Sequence, residues 1–290
     1  MSAVADRLTR LKPAFRRTAR VDKILEVLAR FGYGARGFVY LSVGLVTLLA
    51  ALDLVGSSVG TSGAIGAVAE QPLGRVWLVM LGVGLWAFVL WRVLQSVFDA
   101  DREGMSKKAL MLRAGQAASG VFYGVMASTV FEVLDEIALD PSADDIAENQ
   151  EKAAMLLDLP FGDWMLIAVG LIVAAVGVGN ILKGFGADFG EDLACSLNMK
   201  KRCIPFARAG YVARGLTYLP LALFVTLAGV RASAEDVTSF GASLDALEAQ
   251  PGGSLMLGLA AVGLMAFGLF ALIEARFRRI RAPDDLNPLS

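Results

Sequence analysis

Six uninterrupted apolar runs divide this chain, at about 35–55, 76–98, 116–134, 164–185, 211–230 and 255–275. Each has roughly the 20 residues that cross a bilayer core about 30 Å thick. A soluble core could hide one such run, but hardly six. Of the 290 residues, 56% are apolar and 19% charged, against about half and a quarter in a soluble domain. The runs read as helices. A barrel strand alternates over about ten residues, and a helix in hydrocarbon satisfies its own backbone polar groups. The expected fold is therefore an all-α membrane protein with six transmembrane helices.

The loops set the orientation. Lys and Arg concentrate before the first run, between the second and third, between the fourth and fifth, and after the sixth, which together hold 24 of 27. The opposite side has Arg75, Lys152 and Arg231. Basic loops stay in the cytoplasm, so both termini are expected inside. The loop 132–163 holds ten acidic residues, a separate feature on the outer side. No apolar stretch precedes Leu41, so no cleavable signal is expected. Val4, Leu8, Leu11 and Phe15 fit either a helix lying on the inner leaflet or a disordered basic tail.

The runs belong to a repeat. Arg30-Phe-Gly-Tyr-Gly-Ala-Arg-Gly-Phe-Val-Tyr40, Arg113-Ala-Gly-Gln-Ala-Ala-Ser-Gly-Val-Phe-Tyr123 and Arg208-Ala-Gly-Tyr-Val-Ala-Arg-Gly-Leu-Thr-Tyr218 open the odd-numbered spans. Gln71-Pro72-Leu73-Gly74, Leu159-Pro160-Phe161-Gly162 and Gln250-Pro251-Gly252-Gly253 lead into the even ones. A short amphipathic segment such as Ser243–Ala249 precedes each lead-in and reads as an interfacial helix stopped by the proline. The expected layout is a basic N-terminal segment (1–27), repeats at 28–100, 110–186 and 206–277, and a cytoplasmic tail (278–290). Two spans per repeat return the chain to its starting side. The copies are thus parallel, related by a pseudo-threefold axis near the membrane normal.

This pattern resembles a bacterial membrane family described as domain of unknown function 1206, built from three such two-helix repeats. The resemblance rests on the full motif in copies one and three and on the Gln-Pro-x-Gly lead-ins. It spans about residues 28–276. It implies a multi-pass protein of the bacterial inner membrane and carries no activity with it. Copy two departs from the motif, with Gln116, Ser119 and Leu159 replacing tyrosine, arginine and glutamine.

Two sets of residues are candidate binding positions. The first is the repeated motif: Tyr33, Arg36, Tyr40, Ser119, Tyr123, Tyr211, Arg214 and Tyr218. At 100° per residue its members share a helix face. Packing and interfacial anchoring would account for them. Arg36 and Arg214, however, sit at helix N-termini, where the macrodipole disfavours cations, so each is expected to reach the carbonyls ending a neighbouring even helix. The second set is a polar cluster, Arg92, Gln95, Asn180, Lys183 and Glu274, near the cytoplasmic ends of the even spans. It reads either as snorkelling side chains or as an ion or ligand site near the axis, with Lys183 paired to Glu274.

The chain has no histidine, which removes the commonest metal ligand and proton shuttle and the Ser-His-Asp arrangement. Gly82-Val-Gly84 lacks the third glycine of a dinucleotide loop. Cys195 and Cys203 match no zinc or redox spacing and read as free thiols. No catalytic residue, metal or cofactor is expected. The expected partners are membrane lipids, with anionic headgroups on the cytoplasmic side, and a second copy or another membrane protein, with no nucleic acid. The leading expectation is a structural, partner- or lipid-binding membrane scaffold. The alternative is a small-solute or ion transporter or channel.

Overall fold

The computed structural model of the chain describes residues 19–54, 74–101, 103–135 and 141–280. The amphipathic reading of Val4–Phe15, the first outer segment and the end of the tail lie outside the described residues. Eight α-helices occur among the described ones: α1 (Ala19–Ala51), α2 (Gly74–Phe98), α3 (Lys107–Asp135), α4 (Pro141–Leu157), α5 (Gly162–Gly186), α6 (Leu197–Arg231), α7 (Phe240–Glu248) and α8 (Gly253–Phe277). A 3-10 turn, Ala234–Asp236, links α6 to α7. Among these residues no strand forms beyond one isolated bridge, Leu193 to Arg278.

Five helices are long and apolar enough to cross a membrane: Lys23–Ala51 within α1, then α2, α5, α6 and α8. α3 has 29 residues but carries Gln116, Ser119, Ser128 and Thr129 among its apolar side chains. The odd helices begin well before their apolar runs. α1 starts at Ala19 and α6 at Leu197, where the Ser196 side chain accepts from the Met199 amide. Lys and Arg have good helix propensity, so the helices continue as basic extensions.

The lead-ins to α5 and α8 have a steric cause. Phe161 and Gly252 adopt left-handed backbone, at φ 63° and 77°, reversing the chain onto the helix just completed. The next residues, Gly162 and Gly253, then lie against the carbonyls of Leu156 and Glu248, where a Cβ has no room. In front of them lie the amphipathic helices α4 and α7. Gln150 of α4 donates to the Glu235 and Val237 carbonyls at 3.0 and 3.3 Å.

Packing runs in the order α3, α2, α1, α8, α6, α5. The even helix of each copy lies against the odd helix of another: α2 on α3, α5 on α6, α8 on α1. Small residues make the closest approaches. A Cβ on Gly268 of α8 would meet the Leu41 amide nitrogen at 2.7 Å, and one on Gly177 of α5 would meet the Gly215 carbonyl at 3.0 Å. Gly170, Gly177 and Gly184 recur every seven residues along α5 and all face α6. Most of the remaining α5 surface is exposed, Trp164, Ile172, Leu182 and Phe185 included. Within copies, α1 packs on α2 and α6 on α8. The core between them centres on Tyr33, Tyr40, Phe88, Trp91, Tyr123 and Phe267.

Candidate functional site

The tyrosines that close the three motifs converge. Tyr40, Tyr123 and Tyr218 come from α1, α3 and α6, and all are buried. The Tyr40 and Tyr218 hydroxyls lie 3.0 Å apart. One arginine, Arg214, serves all three. Its guanidinium carbon is 5.0, 6.0 and 5.3 Å from the rings of Tyr40, Tyr123 and Tyr218, and 4.7 Å from that of Phe267. Its Nε and Nη2 donate to the Tyr218 hydroxyl at 3.2 and 3.0 Å. Ring faces attract a cation, by up to about 2 kcal/mol when water is excluded, so four of them offset much of the cost of burying this charge.

Arg36, the counterpart of Arg214 in copy one, lies 4.5 Å from the same Phe267 ring. It reaches α8 through Glu274, with Nη2 3.5 Å from Oε2. The expected contact with helix-end carbonyls is made instead by the arginine six residues earlier in the motif. Arg30 Nη1 donates to the carbonyls of Ala275 and Arg276 at 2.9 and 2.7 Å. Arg113 donates to those of Ser96 and Val97 at 2.8 and 2.9 Å. These carbonyls sit at the same register, 22 and 23 residues after the lead-in glycine. The macrodipole argument holds, but the first arginine has the reach and Arg36 and Arg214 turn inward. Arg208, the third of the set, is exposed.

The polar cluster divides. Arg92 donates to Gln95 at 2.9 Å, and Gln95 passes its own amide to Asp101 at 2.5 Å. Asn180 turns back on its own helix, donating to the Val176 carbonyl at 2.9 Å. Glu274 does not pair with Lys183. It is taken by Arg278, one helical turn on, at 2.7 Å, and by Arg36. Lys183 lies over the Tyr211 ring at 4.9 Å, and Tyr211 in turn stacks on Phe189 at 5.0 Å. Arg278 also pairs with Asp101 and Asp192 at 3.2 Å each. Near this cluster Glu103 sits on the α2–α3 loop, where partial burial and then Asp101, Asp192 and Asp99 push its carboxyl above the usual range. Lys183, Tyr211, Glu274 and Arg278 line a cavity of about 50 Å³, room for one or two waters or a small ion.

Tyr33 accepts from Trp91 Nε1 at 3.3 Å and meets Phe88 edge-on at 5.1 Å. Ser119, which takes the arginine's place in copy two, is half-buried. Tyr123 is fully buried, its hydroxyl without a partner. Sequence reasoning missed Arg278, Asp101, Phe88 and Phe267. Arg278 was legible as the i+4 neighbour of Glu274, and the two phenylalanines share the register 14 residues after the lead-in glycine. The thiols of Cys195 and Cys203 are free.

A relative, the Uncharacterized protein YxxB of Bacillus subtilis (strain 168), is 28% identical over 256 residues, 87% of this chain and 90% of its own length. No solved structure matches the chain. The family model described as Domain of Unknown Function (DUF1206) matches three times, at residues 31–99, 114–187 and 209–278, so that each match covers one two-helix copy. With most of its length so matched, the chain belongs to the DUF1206 family.

Proposed function

We propose that the protein is a multi-pass scaffold of the bacterial inner membrane. It has six spans, three parallel two-helix copies about a pseudo-threefold axis, and both termini in the cytoplasm. α3 is the sixth span. Its Arg113 caps α2 as Arg30 of α1 caps α8, which supports placing it in the same layer as α1. Five of the six helix contacts that a threefold relation asks for are made, which supports it, and the distribution of Lys and Arg sets the direction.

The scaffold binds lipids and membrane neighbours rather than passing solute. The observation that carries this reading is the buried cluster in which Arg214 is ringed by Tyr40, Tyr123 and Tyr218, which the threefold reading puts on the axis. A path along the axis would have to part them. Anionic headgroups gather at the basic end, and the exposed side of α5 is open to a second copy or another membrane protein. Neither a catalytic role nor a nucleic-acid partner is part of the proposal.

The test is reconstitution into liposomes. Ion conductance and small-solute efflux are expected to equal those of empty vesicles. A second reading, transport through a cytoplasmic polar site, is favoured only by the cavity beside Lys183 and Glu274. Conductance above background that Glu274→Gln abolishes would replace the scaffold reading with that one.

A further inference from the structure

The cavity beside Glu274 runs from an open rim to a buried floor. Lys183 at the end of α5, and Asp188 and Asp192 of the α5–α6 loop, line it and are exposed. Tyr211 of α6 and Phe270 and Glu274 of α8 line it and are buried. Backbone bonds fix the loop between them. The Ala194 amide donates to the Phe277 carbonyl at 2.7 Å, and the Arg279 amide to that of Asp192 at 2.8 Å, so the loop is laced to the end of α8. Asp188 Oδ1 accepts from the Gly190 amide at 2.8 Å, and Lys200 Nζ of α6 donates to the Gly190 carbonyl at 2.6 Å. The cavity is thus shaped before a ligand arrives, which lowers the cost of binding one.

Both signs of charge line it with hydrogen-bonding capacity unspent. Among the described residues Lys183 makes no ion pair; its ammonium over the Tyr211 ring keeps its three N–H donors. The Tyr211 hydroxyl has no hydrogen-bond partner among the described residues, and Arg278 Nε is buried without one. Of the carboxylates, Glu274 is spent on Arg278 and Arg36. Asp192 gives Oδ2 to Arg278, and Asp188 gives Oδ1 to its own loop, which leaves each a second oxygen at the exposed rim. These facts narrow the ligand. Among the described residues no group of acids or thiols is arranged to hold a metal ion. A phosphate dianion would face Asp188, Asp192 and Glu274 on the same lining, at a coulombic cost. An uncharged molecule would cover the Lys183 ammonium and the phenol without answering their donors. A small molecule carrying both charges satisfies the two sides at once.

We propose that this cavity binds a free α-amino acid, its carboxylate on Lys183 and Tyr211 and its ammonium between Asp188 and Asp192. Space for one or two waters is space for one carboxylate group. The carboxylate therefore enters, while the ammonium and side chain stay at the open rim. Its two oxygens answer the ammonium and the phenol with charge-assisted bonds. The ammonium of the ligand takes the oxygens that Asp188 and Asp192 leave unused. The site goes beyond the scaffold reading and does not rest on it, since it needs only the folded ends of α5, α6 and α8.

Equilibrium binding of radiolabelled glycine to the purified full-length chain in detergent tests this. Saturable binding of a single glycine per chain is expected. Unlabelled alanine is expected to displace it, whereas N-acetylglycine, which lacks the ammonium, and glycinamide, which lacks the carboxylate, are not. Lys183→Met and Asp188→Asn are each expected to weaken binding about tenfold or more. Asparagine still accepts from the Gly190 amide, so the second variant keeps the turn of the loop. Glu191→Gln, on the same loop but off the lining, is expected to bind as the parent does. The absence of saturable binding, equal displacement by either one-charge analogue, or full binding in Lys183→Met or Asp188→Asn would overturn the site. The two analogues decide the matter on the parent chain if a variant does not fold. Transport is scored separately in liposomes, so a chain that neither binds glycine nor leaks refutes the site and leaves the scaffold standing.

Discussion

Arg30 and Arg36 stand six residues apart in one motif, yet they meet opposite environments. Arg30 lies against the last carbonyls of α8, whereas Arg36 is enclosed by aromatic rings with one shared carboxylate. The need for a cation near the even-helix ends was legible from the macrodipole. Which arginine would serve was not, because that depends on the crossing of two helices and on how far each side chain reaches. The same holds for Glu274: its burial was not visible, and Arg278, in what reads as a tail, proved a nearer partner than Lys183. Two outcomes are expected in detergent thermal melts. Arg113→Ala loses its bonds to the Ser96 and Val97 carbonyls and costs about 1–2 kcal/mol, whereas Arg208→Ala, at the exposed third position, is near neutral. Glu274→Gln strips Arg36 and Arg278 of their shared counter-charge and costs about 3 kcal/mol; Lys183→Met, which loses one ring contact on an exposed side chain, costs well under 1 kcal/mol.

The helices themselves were largely readable, because continuous apolar length is a strong signal. Their cores fall where the runs fall. The odd helices are longer than expected because basic residues extend a helix beyond the hydrocarbon as readily as they form a loop, and hydropathy alone cannot tell the two apart. α3 is the weakest of the long helices by the same measure, since Gln116 and Ser119 dilute it. Glycine spacing in α5 was visible, but the partner it selects, α6, depends on the three-dimensional order of the copies. Two close approaches carry a prediction. Gly215→Ala would drive a methyl into the Gly177 carbonyl and the Ile181 backbone nitrogen at 2.9 Å, parting α5 from the helix that holds it. A midpoint lower by several degrees is expected, since overpacking costs about 1–3 kcal/mol. Gly179→Ala, with nothing within 4 Å, is expected to leave the midpoint unchanged or raise it slightly, in line with the better helix propensity of alanine.

At the scale of the molecule, three copies of one hairpin could be counted from the motif, and the family model matches them in three places. What the motif could not convey is how unequal they are. The two phenylalanine wedges and two inward arginines belong to copies one and three, while copy two contributes Tyr123. That inequality is one of side-chain volume at a single register, Val176 against Phe88 and Phe267, and only the packed structure shows that α1 and α6 lie directly on the two phenylalanines. The central claim, that the copies run in the same sense with both ends in the cytoplasm, is open to a direct measurement. Single cysteines are placed by Asp158→Cys, Ser233→Cys, Ser106→Cys and Ala194→Cys in a chain whose Cys195 and Cys203 are serine, and intact cells are treated with a membrane-impermeant maleimide. Positions 158 and 233 are expected to label from outside, and positions 106 and 194 only after permeabilisation. Labelling of 106 or 194 in intact cells, or protection of 158 and 233, would contradict the account.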